Sequence, residues 1–334
     1  MKYLKNIIVL LLLTIGLFSC EKKSLERVQI IGEAQGTYYS IIYYDDMARD
    51  FKYEIDSLLD AFDQSVSVYQ PNSIISRVNR NDDLVDLDNW FIGNFILSQR
   101  ISQETNGSFD MTIAPIANIW GFGTFEKPKS IDPYKIDSLR QFVDYRKIKI
   151  ENGQVLKENK GIQLNFNAVA QGYSVDVLSE FLQEKNIKSF LIDVGGEIYA
   201  YGKKPKNESW KVGIEMPEES DGERVYNQVV NIYNEAVATS GNYRKFYVLD
   251  GVKYAHSLDP KTGYPVKHSI LSSTVIAKTA GEADAYATAF MVMGVAKTLE
   301  FAKSHPEIKV YLMYDDNGSI KTEMSDNFKV YINN

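Results

Sequence analysis

The order of helical and strand patterns along the chain limits its fold more than any other feature. Helical spacing of apolar residues predicts four long helices, and much of the remaining chain carries short runs typical of β-strands. The strands follow one another instead of alternating singly with helices, and no GxGxxG motif occurs. This order predicts an α+β fold of mainly antiparallel sheets with packed helices, not a Rossmann fold. The predicted helices are 46–65, 90–104, 173–185 and 281–303, and the predicted strands include a hairpin over 28–44 and segments 189–194, 197–201, 210–215, 228–233, 246–249, 272–277, 310–314 and 328–332.

The N-terminus carries the pattern of an export signal. Two lysines precede an apolar run over 7–18, which is short for a membrane span, and the run leads into Leu17-Phe18-Ser19-Cys20. This ending resembles a bacterial lipobox, and Cys20 is the only cysteine of the chain. We therefore expect a signal peptide over 1–19, a lipidated Cys20 with a short linker over 20–27, and one domain over 28–334. An ordinary secretory signal with an incidental cysteine is the alternative.

Lipidation at Cys20 would place the protein in the cell envelope, anchored to a bacterial membrane and facing the periplasm or the exterior. It would also exclude a cysteine nucleophile, because the only thiol would be acylated.

Charge and the small number of metal-binding side chains exclude several functions. The formal net charge is −7 and no basic run is present, which argues against a nucleic-acid partner. A single cysteine excludes an internal disulfide and a thiolate zinc site, and three histidines argue against a His-rich transition-metal site. A bound metal would therefore have oxygen ligands, as magnesium and calcium do.

Polar, glycine-rich segments interrupt the periodic elements, and such loops are where binding and catalytic groups usually lie. Segment 165–176 leads small residues into a helix whose N-terminus could bind phosphate. In segment 65–79, Tyr69 could stack on a flat ring, although a capped helix–loop–helix explains the same residues. The remaining segments are 107–123, 193–197, 238–243, 254–265 and 283–288.

Two of these segments contain side chains suited to catalysis. Asp284 and Thr288 are four residues apart, so they share one face of a helix and form half of a hard-cation site. An acid that favours the helix dipole is the alternative explanation of Asp284. Turn formation explains Pro260 and Gly263 but not His256.

Taken together and in order, these segments resemble the ApbE family of FAD:protein FMN transferases over about residues 34–294. The motifs are Gly-Ser-Phe-Asp, Ala-Gln-Gly-Tyr, Asp-Val-Gly-Gly-Glu, Ala-Thr-Ser-Gly, His-Ser-Leu-Asp-Pro-Lys-Thr-Gly and Ala-Asp-Ala-Tyr-Ala-Thr. The resemblance implies a T-fold-related architecture and Mg²⁺-dependent transfer of FMN from FAD to a Thr or Ser hydroxyl, with release of AMP. It also implies exported acceptor flavoproteins, such as subunits of quinone or ferredoxin reductases.

The resemblance further implies roles for individual residues. Metal ligands would be the Ala168 carbonyl and the side chains of Asp284 and Thr288, with Ala287 at a position where some relatives carry an acid. Either His256 or Asp284 would accept the proton of the attacking hydroxyl. The residues implied to bind FAD are Gln35, Tyr69, Ser108, Phe109, Asp110, Asn165, Gln171, Ser240, Gly241 and Leu258. Relatives often have Met at the Gln35 position, Asp at Asn165, and Lys or Glu at Gln171.

Three other functions fit part of the same pattern. Water could replace the acceptor hydroxyl, which would make the protein an FAD pyrophosphatase that releases FMN and AMP. A lipoprotein that only binds flavin would use the same loops without the metal pair. A Ser-His-Asp hydrolase would have Ser240 and His256 but lacks the Gly-x-Ser-x-Gly motif.

Overall fold

An eight-stranded sheet forms the centre of the fold. The computed structural model describes residues 24–123, 128, 130–217, 225–242, 246–249 and 252–332, so the predicted signal peptide and Cys20 lie outside the described residues. The strand order is β1-β2-β5-β6-β9-β14-β15-β16, and every neighbouring pair is antiparallel. These strands are β1 Glu26–Ala34, β2 Thr37–Asp45, β5 Phe190–Val194, β6 Glu197–Tyr201, β9 Glu235–Gly241, β14 Ile270–Ala277, β15 Lys309–Asp316 and β16 Ser319–Met324. The predicted α+β class with an antiparallel sheet is confirmed.

Four two-stranded ladders and eight α-helices accompany the sheet within the described residues. The ladders pair β3 Ile148–Glu151 with β4 Gln154–Lys157, β7 Trp210–Glu215 with β8 Tyr226–Ile232, β10 Phe246–Leu249 with β11 Val252–Ala255, and β12 Leu258–Asp259 with β13 Tyr264–Pro265. The helices are α1 Lys52–Val66, α2 Ile74–Arg80, α3 Asn89–Glu104, α4 Ala114–Ile119, α5 Pro133–Arg140, α6 Ala170–Glu184, α7 Ala280–Met293 and α8 Val295–Ser304. None of the helices in this part of the chain is long and apolar enough to cross a membrane.

Alternation along each strand gives the sheet two buried faces. On β9, Ala236 and Ala238 join the large apolar core beneath α1, α3, α6 and α7, and we call this side the helix face. Val237, between them, joins a smaller core with Trp210 of β7 and Phe328, and we call this side the hairpin face. Both faces are buried in the middle of the sheet, where nearly all of β14 is buried, whereas the edge strands β1 and β16 are largely exposed.

A third, small apolar cluster lies away from the sheet. Ile116 and Trp120, on and just after α4, are buried with Ile136 of α5 and Leu258 of β12. This cluster joins segment 107–123 to the loop around residues 256–265.

The structure corrects three predicted elements. The first long helix begins at Lys52 and not at 46, because Arg49 folds back onto the Asp45 carboxylate and Ala48 has φ of +49°. The predicted helix 281–303 is two helices, since Gly294 has φ of +82° between them.

The predicted strand 328–332 is wrong, because residues Asp326–Tyr331 form a 3₁₀-helix. The unpredicted strand β16 already pairs with the free side of β15. A single helical turn is enough to place Phe328 in the core of the hairpin face, where it is fully buried.

Candidate functional site

Several of the predicted site residues meet at one end of the sheet on the helix face. Tyr39 of β2 pairs with Val194 of β5, so the β1–β2 and β5–β6 turns lie side by side. The pairing of Ile198 with Val237 places the end of β9 at the same edge. The N-terminus of α6 approaches both turns, and its side chains hold them together.

The β5–β6 turn fits closely against α6. Gly195 has φ of +62°, and its N–H donates to the Tyr38 carbonyl at 3.0 Å. A Cβ atom at Gly195 would lie 2.0 Å from Nε2 of Gln171 and 2.7 Å from Cγ2 of Thr37. Gln171 uses that nitrogen to donate to the Val194 carbonyl at 2.9 Å. Glycine is therefore required here by both conformation and space.

Gln35, at the tip of the β1–β2 turn, contacts two helices. Its Oε1 accepts a hydrogen bond from Oγ of Ser174 on α6 at 3.3 Å, and its side chain also bonds Asp63 of α1. Burial and the nearby Asp60 carboxylate raise the pKa of Asp63 to about 6, although the bond to Gln35 lowers it. The structure thus brings Gln35 and Gln171 together at the first two turns of α6.

Asp284 and Thr288 lie on the side of α7 that faces α6 and β9. The Asp284 side chain is 6% exposed, and its Oδ2 accepts from the backbone N–H of Gly172 at 3.1 Å. Oγ1 of Thr288 lies 3.1 Å from Oγ of Ser240 on β9. Alternation on β9 points Ser240 towards the helix face, because Ala236 and Ala238 point the same way.

Oxygen atoms make up the polar donor set at this place. The Asp284 carboxylate bonds the first turn of α6, the paired hydroxyls of Thr288 and Ser240 lie one turn further along α7, and Ala168 lies two residues ahead of α6. The described residues include no group of three His, Cys, Asp or Glu side chains placed to hold a metal. The arrangement therefore fits a hard cation that takes most of its ligands from backbone, hydroxyls, water or substrate.

Segment 107–115 also contains predicted site residues, and in it Asp110 faces the protein interior. Its carboxylate accepts from the N–H and hydroxyl of Thr112 at 2.8 and 2.6 Å and from the N–H of Tyr145 at 3.0 Å. Burial raises the pKa of Asp110, while these hydrogen bonds lower it. Phe109 is also buried, at 4% exposure, so these two side chains shape the segment that carries Ser108.

Segment 165–169 joins segment 107–115 to the start of α6. The Asn165 N–H donates to the Met111 carbonyl at 2.8 Å, and Oδ1 of Asn165 accepts from the N–H of Asn167 at 2.7 Å. Nδ2 of Asn167 donates in turn to the Tyr69 hydroxyl at 3.0 Å. Tyr69 is 61% exposed, so its ring is available to a flat ligand at the rim.

The helix–loop–helix interpretation of segment 65–79 is confirmed, because Ser73 caps α2 by accepting from the N–H of Ser76. This fold of the segment is compatible with a binding role for Tyr69.

The loop that contains His256 docks on segment 107–123. The His256 ring lies 6.3 Å from the Phe122 ring, and Leu258 is buried beside Trp120. Nε1 of Trp120 donates to the Gly263 carbonyl at 2.8 Å. The loop also returns to β9, since Oγ of Ser257 donates to Oδ1 of Asn242 at 2.6 Å, directly after Gly241.

Sequence reasoning assigned no role to three side chains of this region. Asn167 orients Tyr69, and Asp63 holds Gln35. Asp176 of α6 accepts from the N–H groups of Ala280 and Gly281 at 2.7 and 2.8 Å. The sequence feature that could have identified Asp176 is a carboxylate between two valines, Val175 and Val177, both of which are buried.

Comparison with known proteins links this geometry to a family. The model described as "ApbE family" matches residues 35–312. The FAD:protein FMN transferase of Haemophilus influenzae is 30% identical to this chain, and the alignment covers 98% of each protein. That of Escherichia coli K12 is 32% identical, covering 90% of this chain and 88% of the relative. Among solved structures, the flavin transferase ApbE from Vibrio cholerae superimposes with a TM-score of 0.83 at 29% identity, over 92% of this chain and 99% of that one.

Proposed function

Since this chain belongs to the ApbE family and is an enzyme, we propose that it transfers FMN from FAD to a Thr or Ser hydroxyl of an exported acceptor flavoprotein. The acceptors are proteins of the kind exemplified by quinone or ferredoxin reductase subunits, and AMP is the leaving group. The convergence of Asp284, Thr288 and Ser240 beside the start of α6 carries this proposal.

The reaction replaces the phosphoanhydride bond of FAD with a phosphoester bond to the acceptor. The acceptor oxygen attacks the phosphorus on the FMN side of the pyrophosphate, the new P–O bond forms, and the bond to the AMP phosphate breaks. The hydroxyl proton goes to a base, and AMP leaves with the bridging oxygen. Such transfers depend on positioning and charge neutralisation more than on covalent help from the protein.

The donor set fits Mg²⁺, which prefers oxygen ligands and retains phosphate oxygens and water in its shell. The Asp284 carboxylate, the Thr288 hydroxyl and the Ala168 carbonyl would hold the ion. The ion would supply neutralisation of the pyrophosphate charge. Ala287 offers no carboxylate beside these ligands, so we expect weaker metal binding than with an acid at that position.

The N-terminus of α6 gives the phosphates a second source of positive potential. The helix dipole favours negative charge at the turn around Ala168, where the N–H groups of Ala170 and Gly172 already donate to the Phe166 carbonyl and to Asp284. Gln35, Gln171 and the rim residue Tyr69 surround this end of the helix, where they would orient the flavin.

Two groups are candidates for accepting the hydroxyl proton. Asp284 belongs to the oxygen donor set with Thr288 and Ser240, while His256 lies on the loop that packs against Phe122. A His256→Ala variant that keeps full metal affinity but loses transfer would assign the proton to histidine. If His256→Ala transfers FMN normally, Asp284 is the base.

We place the enzyme in the cell envelope, with Cys20 as a lipid anchor to a bacterial membrane. The lipobox-like Leu17-Phe18-Ser19-Cys20 supports this location. Mass analysis of the mature N-terminus tests it: a diacylglycerol-modified Cys20 is expected, and an unmodified cysteine in the exported protein would contradict it.

The decisive experiment is intact mass spectrometry of a flavin-acceptor domain incubated with this protein, FAD and Mg²⁺. We expect a mass gain equal to bound FMN on one Thr or Ser, together with free AMP. Free FMN and AMP without acceptor labelling would indicate a pyrophosphatase. FAD that remains intact while bound would indicate a flavin-binding lipoprotein.

A further inference from the structure

Asp176 joins α6 to the beginning of α7. Its Oδ1 accepts from the N–H of Ala280 at 2.7 Å and its Oδ2 from the N–H of Gly281 at 2.8 Å. Both donors are first-turn N–H groups that have no partner within their own helix. A carboxylate at that end also interacts favourably with the helix dipole. The side chain of one helix thus caps the other.

The contact is matched by one in the opposite direction. Asp284, about one turn further along α7, accepts from the N–H of Gly172 in the first turn of α6. The helices approach closely here, because a Cβ atom at Gly172 would lie 2.2 Å from the Ala280 carbonyl oxygen. Each helix therefore binds the first turn of the other through a carboxylate.

The helix start held by Asp176 is the part of α7 from which the metal-binding side chains project. Asp284 follows Gly281 by three residues, and Thr288 lies one turn beyond Asp284. A displacement of the first turn would move both side chains relative to Ser240, which belongs to the sheet. Thr279 caps the same turn through the N–H of Glu282, but it belongs to that segment and cannot tie it to α6.

Resting on the proposed function, we propose that Asp176 is a positioning residue for the metal pair. By holding the first turn of α7 on α6, it fixes the positions of the Asp284 carboxylate and the Thr288 hydroxyl relative to Ser240 and to the start of α6, as Mg²⁺ binding needs. Asp176 itself does not contact the ion or FAD.

The cost of the contact supports a specific role. Burial raises the pKa of Asp176 to about 7, against the lowering effect of the two N–H donors. Apolar residues could join two helices without desolvating a carboxylate, so adhesion alone does not require this residue.

An Asp176→Asn variant tests the proposal. The amide keeps the size of the side chain, but its NH₂ group cannot accept the second N–H. Calorimetry with Mg²⁺ on the FAD-loaded protein should show a dissociation constant raised about tenfold, as for other partners that orient metal ligands. The Mg²⁺ concentration for half-maximal transfer should rise equally, while kcat at saturating Mg²⁺ stays within about twofold of wild type.

Glu180→Gln is the matched control, because it removes the same charge from an exposed position one turn along α6. It should leave the Mg²⁺ dissociation constant unchanged. A merely structural role of Asp176 would lower the unfolding temperature of Asp176→Asn but leave the Mg²⁺ affinity of the folded protein at the wild-type value, and that result would overturn the proposal.

Gly281→Ala provides a second, milder variant if Asp176→Asn does not fold. Its added methyl group would lie 3.2 Å from Oδ2 of Asp176 and 2.9 Å from Cδ2 of Leu97, so the contact must shift by a few tenths of an ångström. A smaller rise in the Mg²⁺ dissociation constant is expected, and an unchanged value would contradict the proposal.

The wild-type protein separates the two levels of inference. If it transfers FMN and binds Mg²⁺ while both variants bind Mg²⁺ equally well, only the role of Asp176 fails. If it binds no Mg²⁺ at all, the metal-dependent function fails and the role of Asp176 fails with it.

Discussion

The two faces of the central sheet differ in the kind of side chain that covers them. On the helix face, the apolar core ends in a polar edge formed by Ser240 and the carboxylates of α6 and α7. On the hairpin face, Trp210, Phe328 and their neighbours form a compact apolar cluster. Adjacent residues of one strand serve these different surroundings.

The difference shows how one sheet can separate chemistry from support. A helix that packs on a sheet leaves its first N–H groups unpaired, so it supplies polar groups where two helix starts meet. A hairpin pairs the inward-facing half of its backbone groups within its own ladder, and on this face it contributes mainly apolar side chains to the interface. We therefore expect helix-face substitutions at the polar edge to change activity, and hairpin-face substitutions to change stability.

Asp284→Ala should produce the largest effect on the helix face. Loss of the carboxylate removes a proposed metal ligand, and transfer should fall about a thousandfold, or about 4 kcal/mol in the activation barrier. Initial rates of acceptor labelling at saturating FAD measure this. Glu282→Gln, two residues earlier on α7, is the control and should retain transfer. An Asp284→Ala protein that is folded and active would remove the polar edge from the mechanism.

Phe328→Ala should produce the largest effect on the hairpin face. The ring is fully buried, so its loss should lower the free energy of unfolding by about 3 kcal/mol. Urea denaturation measures that change. The rate of transfer per folded molecule should stay at the wild-type value, since Phe328 belongs to the other core. A large fall in that rate would mean that the two faces are coupled.

Asp45→Asn tests a helix-face group that is remote from the polar edge. The Arg49 guanidinium holds the pKa of Asp45 at about 2, below 3.8 for an unfolded chain, and Arg49 also donates to the Lys185 carbonyl after α6. The ion pair should therefore stabilise the fold above about pH 4, and this stability should be lost as the pH falls through 2. Allowing for the 32% exposure of the Arg49 side chain, we expect about 1.5 kcal/mol.

Unfolding curves at pH 6 and pH 2 should show this loss in wild type and a smaller one in Asp45→Asn. Transfer at pH 7 should be the same in both proteins. An equal acid dependence of the two proteins would show that another group is responsible.

Neighbouring residues on β9 give the smallest but sharpest comparison. Ser240→Ala removes the hydroxyl that meets Thr288, and transfer should fall about tenfold. Thr239→Val removes the 2.8 Å hydrogen bond to Thr274 and should cost about 1 kcal/mol of stability with no change in transfer. Transfer rates and urea midpoints of both variants test whether Ser240 serves activity and Thr239 serves stability. The assignment of the faces is wrong if the two effects are exchanged.

Local chemistry explains which parts of the fold could be predicted. The helices around residues 90–104 and 173–185 and the strands 197–201 and 210–215 follow from periodicity, since each has one pattern along its whole length. The predicted start at 46, the single helix over 281–303 and the strand 328–332 failed where the backbone depends on distant contacts or on a positive φ at one residue.

By itself, the sequence determined the antiparallel α+β class, the family to which the chain belongs and the spacing that puts Asp284 and Thr288 on one helix face. These properties depend on residue order over short distances. Only the tertiary structure decided that Asp110 faces the interior, that Ser240 meets Thr288, and that Asp176 caps α7. The physical reason is that these contacts join segments that are 35 to 104 residues apart, and only packing against the sheet brings such segments together.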